Sequence, residues 1–581
     1  MKIIQSLSLC LVVLCYFSTH AISASKGPLD QAKTYYVAQT GKDSNEGSQR
    51  SPFQSIQQAA KIAKAGDTVL IGQGVYREIL SPRNSGIESK PISFKALGDG
   101  EVVISGNQIL QNWQPLSDGS WKTKMDWDLG NENQLFCQGK MMILARWPND
   151  RDGKLMTADG AQIEEGSTNT QIKNQSFPDQ FNSKDLKGAT LWSVAGSRWS
   201  AWTRVVTGYN QKEKAIAIPE LKGFWFGEIH SPASKKGGEF YISGKRALLD
   251  SPGEWYYDRK AQEIYFMPPR GKDPNQLKIE TKKRLYGIDF HNKKHINFEG
   301  IKLFATAVRT QNIEHCHFSK ITLLHPTHTA YIKSMFYPIS GITLSGRHNS
   351  ISNSELSYSL DGGIKVQGDD NQVVNCYIHD FNYFGANGRG IELNGDRNLI
   401  SHNTLSRAGR SSMKLAGQEN LIQHNDISHM GLMTHDTGCI HLGGQDGQNT
   451  IIRYNILRDT GGEENNTNAM YFDNFCQNFI VHDNISWNVP TSLRLNRPSN
   501  NIMIFNNTFA GMINNLYGPW ERQRDQWGTM LVNNVALKET KRRGHSTEIL
   551  VKEEVPLVSN YKNHKATIGD FLNTETLQLV K

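Results

Sequence analysis

The chain has 581 residues, 38% of them hydrophobic, with 51 glycines and a formal charge of +8. This balance excludes a disordered chain and suits a turn-rich β protein, while the length alone leaves the number of domains open. No long Lys/Arg run is present, so nucleic acid is not an expected partner; the mild positive charge is compatible with an anionic polysaccharide.

The first residues read as an export leader. Lys2 precedes a short apolar run over residues 7–17, and Ala21, Ser23 and Ala24 offer small residues for cleavage. Residues 1–24 are therefore expected to be a signal peptide, and the remainder secreted or periplasmic. The apolar run is too short for a membrane span, and no later stretch suggests one. Cys15 follows Leu14, which does not fit a lipoprotein site. Past residue 24 the cysteines are Cys137, Cys316, Cys376, Cys439 and Cys476, single and scattered. That spacing predicts neither zinc nor a disulfide framework, and points to small buried apolar side chains.

Residues 25–112 are expected to hold an N-terminal cap and the first coils. Phe53, Ile56, Ala60 and Ala63 fall three or four apart, which predicts an amphipathic helix over 52–64. Gly66-Asp67 then turns it into a strand at 68–71, with further strands at 92–94 and 102–104. A helix in this place would cover the open end of a β-stack, whose first rung otherwise exposes its core and its edge. Residues 113–280 break the pattern and read as an inserted β-rich, sandwich-like lobe with longer strands. Nine of the twelve tryptophans lie between Trp113 and Trp255. They are either the core of that lobe or platforms for sugar rings.

From Tyr286 a repeat emerges. Asparagines recur at Asn353, Asn375, Asn403, Asn425, Asn455, Asn484, Asn507 and Asn534, with spacings of 22, 28, 22, 30, 29, 23 and 27. A base of 22 with variable additions, in β-branched segments bounded by Gly and Asn, predicts a right-handed parallel β-helix over residues 281–540. Residues 541–581 lose the repeat and are expected to cap the C-terminal end. The fold class is thus all-β: a parallel β-helix with a capping helix and an inserted β-rich lobe, expected to act as a monomer.

Aligning one strand per coil gives Gly363-Ile364-Lys365-Val366-Gln367, Gly390-Ile391-Glu392-Leu393-Asn394 and Ser412-Met413-Lys414-Leu415-Ala416. The series continues with Cys439-Ile440-His441-Leu442-Gly443, Ala469-Met470-Tyr471-Phe472-Asp473 and Ser492-Leu493-Arg494-Leu495-Asn496. The second and fourth positions are apolar and should point inward; by the two-residue period the first, third and fifth should face out. One outward column then reads Lys365, Glu392, Lys414, His441, Tyr471, Arg494 at ~4.8 Å intervals, with Asp473 diagonal to it. So many titratable groups together suggest a site, although alternating Lys and Glu also neutralises charge between rungs.

Several phrases carry a resemblance to β-helix carbohydrate-active enzymes. They are Gly66-Asp67-Thr68 to Glu78, the stretch 135–148, Leu249-Asp250-Ser251-Pro252-Gly253-Glu254-Trp255, His435-Asp436-Thr437-Gly438 and Tyr471-Phe472-Asp473-Asn474. The chain most resembles glycoside hydrolase family 141, which holds α-L-fucosidase and xylan-degrading activities. The resemblance implies that Asp436 and Asp473 are the catalytic pair. It also resembles the xylosidases of family 120, whose nucleophile would fall on Asp473. Their acid/base glutamate would fall on Asn496, and an amide cannot transfer a proton.

The resemblance implies an exported glycoside hydrolase acting on plant or algal poly- or oligosaccharides, fucose-containing ones in particular. Asp473 is expected as nucleophile or base and Asp436 as acid, while His441, Tyr471, Lys414, Glu392, Arg494 and His435 hold the substrate. Two carboxyls about 5–5.5 Å apart imply retention, and about 6.5–9.5 Å inversion. On straight rungs the two aspartates would be on the order of 20 Å apart at ~3.3 Å per residue, so residues 431–437 are expected to fold back over the strand. Glu392 is the substitute acid. A polysaccharide lyase is the alternative, with Lys414 or His441 as base and Ca²⁺ beside a uronate; Asp369-Asp370-Asn371 reads as a turn rather than a ligand set, and no metal or other cofactor is expected for a hydrolase. A glycan-binding β-helix without catalysis is the third reading.

Overall fold

The computed structural model describes residues 31–332, 340–461, 467–496, 498–516 and 528–536, with short strands at 541–542, 572–573 and 578–579. The leader expected at 1–24 lies outside the described residues, as does most of the segment 541–581. Within them the chain winds as a parallel β-helix whose three long sheets hold 14, 12 and 12 strands. Each coil gives one strand to each sheet. The coil that starts at Ile391–Asn394 continues through Leu399–Ser401 and Thr404–Ala408. Its partners in the next coil lie 22 residues on: Ile391 pairs with Met413, Leu399 with Leu421 and Thr404 with Asp426. Ile391, Leu393, Ile400, Leu405, Met413, Leu415, Ile422 and Ile427 are buried in the continuous core this stacking makes. Cys316, Cys376, Cys439 and Cys476 lie in the same core and Cys137 in the lobe.

Asparagine stacking explains the recurring turn. Asn403, Asn425, Asn455, Asn484 and Asn507 each donate from Nδ2 to Oδ1 of the next asparagine, at 2.9–3.0 Å. The backbone N–H of each also donates to that same oxygen. Asn353 and Asn375 do not belong to this buried ladder. They occupy the preceding left-handed position (φ 51 and 53) and pair with one another near the surface, while Ser354 and Cys376 hold the ladder position. A second buried ladder runs through Asn349, Asn371, Asn398 and Asn420, so Asn371 in the Asp369-Asp370-Asn371 turn is a stacking residue.

The first strand is Thr34–Val37, paired with Thr68–Ile71. Helix α1 (Ile56–Ile62) lies between them in sequence and is shorter than the 52–64 expected, because Ser55 caps it by accepting from Gln58 N. Glu78 accepts from the N–H groups of Ile56 and Gln57 at the same end, where a carboxylate is favoured by the helix dipole. Ile56, Ala59 and Ala60 of α1 join the β-helix core.

After Val102–Ser105 the chain leaves the helix and returns at Tyr286–His291. Ile296 pairs directly with Ile92, so the stack closes across the excursion. The excursion holds sheets of four, five, five and three strands, chiefly antiparallel. Its strands are two to six residues long rather than the longer ones the sequence suggests. Trp113, Trp192, Trp202 and Trp255 are buried there, whereas Trp225 is exposed. No helix among the described residues is long and apolar enough to cross a membrane.

Candidate active site

Six neighbouring strands of one 12-stranded sheet carry the titratable column: β1 (Gly362–Gln367), β2 (Ile391–Asn394), β3 (Met413–Ala416), β4 (Thr437–Gly443), β5 (Thr467–Asp473) and β6 (Thr491–Asn496). Lys365 pairs with Glu392, Glu392 with Lys414, His441 with Tyr471 and Tyr471 with Arg494; the Met413–Ile440 pair joins the two halves. The expected orientation fails at the first position of the frame. Cys439 and Ala469 are in the core rather than outside, and a Cβ on Gly390 would strike Phe381 and Leu405. The preceding position lies on the side of the column instead: a Cβ on Gly438 would approach Tyr471 Cβ at 3.5 Å.

The outward column is stacked tightly. The His441 and Tyr471 rings lie 4.5 Å apart at 8°, and the Arg494 guanidinium lies 4.5 Å from the Tyr471 ring centroid. Asp473 ends β5 beside this stack. Its Oδ1 accepts from Asn496 Nδ2 at 2.7 Å and Asn474 Nδ2 at 3.0 Å, and its Oδ2 lies 3.5 Å from His441 Nε2. Asn496 Nδ2 also donates to the Tyr471 hydroxyl at 2.6 Å. The Ser411 hydroxyl, which can donate or accept, lies 3.5 Å from His441 Nδ1; Nε2 faces the Asp473 carboxylate, which only accepts, so the ring proton belongs on Nε2.

Burial pushes the Asp473 carboxyl up, but His441 and the hydrogen bonds from Asn496 and Tyr471 outweigh it and hold the group below its usual 3.8. Burial also pulls His441 below its usual 6.5 against the attraction of Asp473, with the charges of Arg389 and Arg410 adding to the fall. At neutral pH the imidazole is therefore uncharged and serves Asp473 as an N–H donor. Burial, and then the Asp436 charge, keep the Tyr471 phenol well above 10.0, so it remains a donor too.

Asp436 immediately precedes β4 in a left-handed conformation (φ 53). Residues 431–437 do not fold over the strand as expected. Thr437 is already in β4, paired with Thr467. The loop before it turns back, with Leu432, Met433 and Thr434 donating to the carbonyls of Ala408 and Gly409. His435 N donates to Arg198 O of the lobe at 2.7 Å. The link to the column comes from Arg494 instead, whose Nη1 reaches back to Asp436 Oδ1 at 3.1 Å. The charges of Asp436 and Asp473 both act on Tyr471 and on Arg410.

Lys414 and His435 are half-buried. Glu392 is 8% exposed; its Oε1 accepts from Asn394 at 3.3 Å and its Oε2 has no hydrogen-bond partner among the described residues. It stands three rungs from Tyr471, roughly 14 Å along the ladder, too far to share one glycosidic bond with Asp473. Two arginines outside the five-residue frame also belong to the site. Arg389 and Arg410 are 8% and 6% exposed and lie just before β2 and β3. Their signal in the sequence was a large cation among small residues, Gly388-Arg389-Gly390 and Gly409-Arg410-Ser411, directly ahead of a strand.

The lobe flanks this face. Trp192 Nε1 donates to Phe384 O at 3.0 Å, and Ala201 N to Gly385 O at 2.8 Å. Trp199, Trp225 and His230 pack as an aromatic group on the lobe, and the Arg410 charge acts on His230. Elsewhere on the lobe, Asp150, Asp152 and Asp159 bring ligand atoms within 4.8 Å of one another. Arg151 pairs with Asp159, while Asp152 accepts from Lys154 N and Thr157 Oγ1.

The family description "Right handed beta helix region" matches residues 340–509, and the description "Chondroitinase B" matches residues 51–112. An uncharacterised protein of Bacillus subtilis, YwoF, is 42% identical over 74 residues, 13% of this chain. The match spans 16% of that relative's length. A solved structure titled "Glycoside hydrolase" has a TM-score of 0.65 at 15% identity, covering 87% of this chain and 97% of the other. A complex of XylC with xylose has a TM-score of 0.42 at 16% identity, covering 86% and 69%. The sheet topology, the family description over residues 340–509 and the structure with a TM-score of 0.65 establish the fold as a right-handed parallel β-helix.

Proposed function

We propose that this chain is a carbohydrate-active enzyme, and within that class a glycoside hydrolase. The observation that carries the reading is Asp473: a carboxylate at the end of its strand, held ionised by His441 and by donors from Asn496 and Tyr471. That is the state a nucleophile or general base needs, and it leaves Asp473 to attack the sugar or to activate water. Asp436, tied to the column by Arg494, which binds its carboxyl at 3.1 Å and stacks on Tyr471, is the proposed proton donor. For this role the sugar enters beside Arg494, which shifts from the Asp436 carboxyl to the substrate. Tyr471 and Arg494 form the floor, and Lys414, His441, Glu392 and His435 contact hydroxyl or anionic groups.

The phrases that resemble glycoside hydrolase family 141, and the glycoside hydrolase whose fold this chain matches at a TM-score of 0.65, support a hydrolase; the leader-like residues 1–24 support export. Plant or algal glycans containing fucose follow from the family 141 resemblance alone. Asp473→Asn is expected to lower turnover of a screened glycan about a thousandfold or more while leaving the melting temperature near that of the parent. A near-normal rate in that variant removes Asp473 from the chemistry. A lyase is the second reading, favoured by an uncharged His441 beside two arginines. Its sign in the same screen is an unsaturated product absorbing in the near ultraviolet.

A further inference from the structure

Arg389 and Arg410 have no assigned task in the chemistry above, yet they are the most deeply placed cations of the site. Arg389 Nη1 donates to the carbonyls of Asn387 and Gly388, at 2.7 and 3.0 Å. Arg410 donates from Nη1 and Nη2 to the carbonyls of His435 and Asp436, at 3.1 and 3.3 Å. These acceptors are neutral. Among the described residues Asp436 pairs with Arg494, and no ion pair reaches Arg389 or Arg410. The Nε of each lacks a hydrogen-bond partner, in side chains more than nine-tenths buried.

Two buried guanidinium groups close enough to repel are costly unless an anion joins them. Burial and the charge of Arg410 hold Arg389 down at about 9, still protonated at neutral pH. The carboxylates of Glu392 and Asp361 act on Arg389, and those of Asp436 and Asp473 on Arg410, only at a distance. The pair borders the reacting groups: Ser411, next to Arg410, lies 3.5 Å from His441 Nδ1. Guanidinium forks match the flat, multiply accepting oxygens of carboxylate and sulfate.

We propose that Arg389 and Arg410 form a receptor for an anionic substituent of the glycan, a carboxylate or a sulfate ester, beside the His441–Tyr471–Asp473 group. The proposal rests on the reading of this face as a glycan site but on neither a hydrolase nor a lyase mechanism. It makes the substrate an acidic polysaccharide and gives the two arginines a role in selecting it.

The test is calorimetric titration of the full chain with inorganic sulfate and with acetate, against chloride at matched ionic strength. Wild type is expected to bind one probe saturably in the millimolar range. Arg389→Met and Arg410→Met are each expected to weaken that binding about tenfold or more, and Arg389→Lys to retain part of it. A response to sulfate alone assigns a sulfate ester, and one to acetate alone a uronate. Each methionine variant loses both the unpaired charge and the bonds to the carbonyls, so the readout is binding by protein shown to be folded; a purely structural clamp would leave anion binding unchanged. No saturable binding by wild type, or equal binding by folded methionine variants, overturns the proposal. Binding is read without turnover, so loss of the receptor and failure of Asp473→Asn to abolish activity are separate results.

Discussion

At the scale of single residues, the proposed chemistry turns on how Asp473 is kept ionised. Asn496 contributes twice, donating to Asp473 Oδ1 and to the Tyr471 hydroxyl. In Asn496→Ala the carboxylate loses a donor, so its proton affinity rises. The acid limb of the pH–rate profile should then move to higher pH, and kcat should fall about ten- to a hundredfold. The groups facing Asp473 are His441, Tyr471, Asn474, Asn496 and the Arg410 charge. The sign follows from a folded-state value below the usual 3.8: the ionised form persists above that value and is lost only as pH falls through the lower one. An unmoved acid limb separates Asn496 from the ionisation that matters. Asn496 was legible in the sequence only as an amide unfit for proton transfer; it stands in register with Asp473 on the next rung, and its service as a donor depends on the side-chain geometry there, which the alignment does not give. Arg389 and Arg410 escaped the alignment for a different reason. A strict two-residue period cannot anticipate that Cys439 and Ala469 turn inward, which gives a role to the position before them, where Arg389 lies; Arg410 lies one residue further back, outside the frame altogether.

At the scale of elements, the coil is held by side chains that replace missing backbone partners at its turns. Asn455 accepts from the N–H and the Nδ2 of Asn425 and donates to the carbonyls of Ile422 and Arg453. Removing the amide strands the buried Asn425 N–H and takes a donor from the Ile422 and Arg453 carbonyls, while Asn425 Nδ2 keeps the carbonyls of Ile400 and Gln423. Asn455→Ala should therefore cost on the order of 3 kcal/mol in urea unfolding. Asn375→Ala, at the exposed left-handed position, should cost less than about 1 kcal/mol. Comparable losses at both positions would contradict the distinction between the two columns. The repeat itself was readable from spacing because the ladder forces one polar residue per coil. The offset of Asn353 and Asn375 was not, since a turn tolerates asparagine both in the left-handed position and in the stack. The shortening of α1 has a similar origin: Phe53 fits the helical spacing but is buried ahead of the Ser55 cap.

At the scale of the whole molecule, the lobe and the β-helix meet beside the candidate site through contacts between residues far apart in sequence. Trp192 stacks on Tyr241 at 4.9 Å, meets Phe384 edge-on and donates its N–H to Phe384 O. Thr203 Oγ1 bonds the Ile332 carbonyl, and Arg198 O receives the N–H of His435. Docking is thus partly polar and touches the residue next to Asp436. No local pattern in the sequence announces such contacts, which is why the tryptophans could be read equally as core or as sugar platforms. Trp192→Phe keeps most of the apolar packing but leaves the Phe384 carbonyl without its donor. It should lower stability by about 1–2 kcal/mol. If the lobe positions the Asp436 loop, kcat measured well below the melting temperature should fall several-fold while the Asn496-dependent acid limb stays in place, because Asp473 is held by β-helix residues alone. A loss of stability with unchanged kcat would confine the lobe to a structural role and leave Asp436 positioned by Arg410 and Arg494.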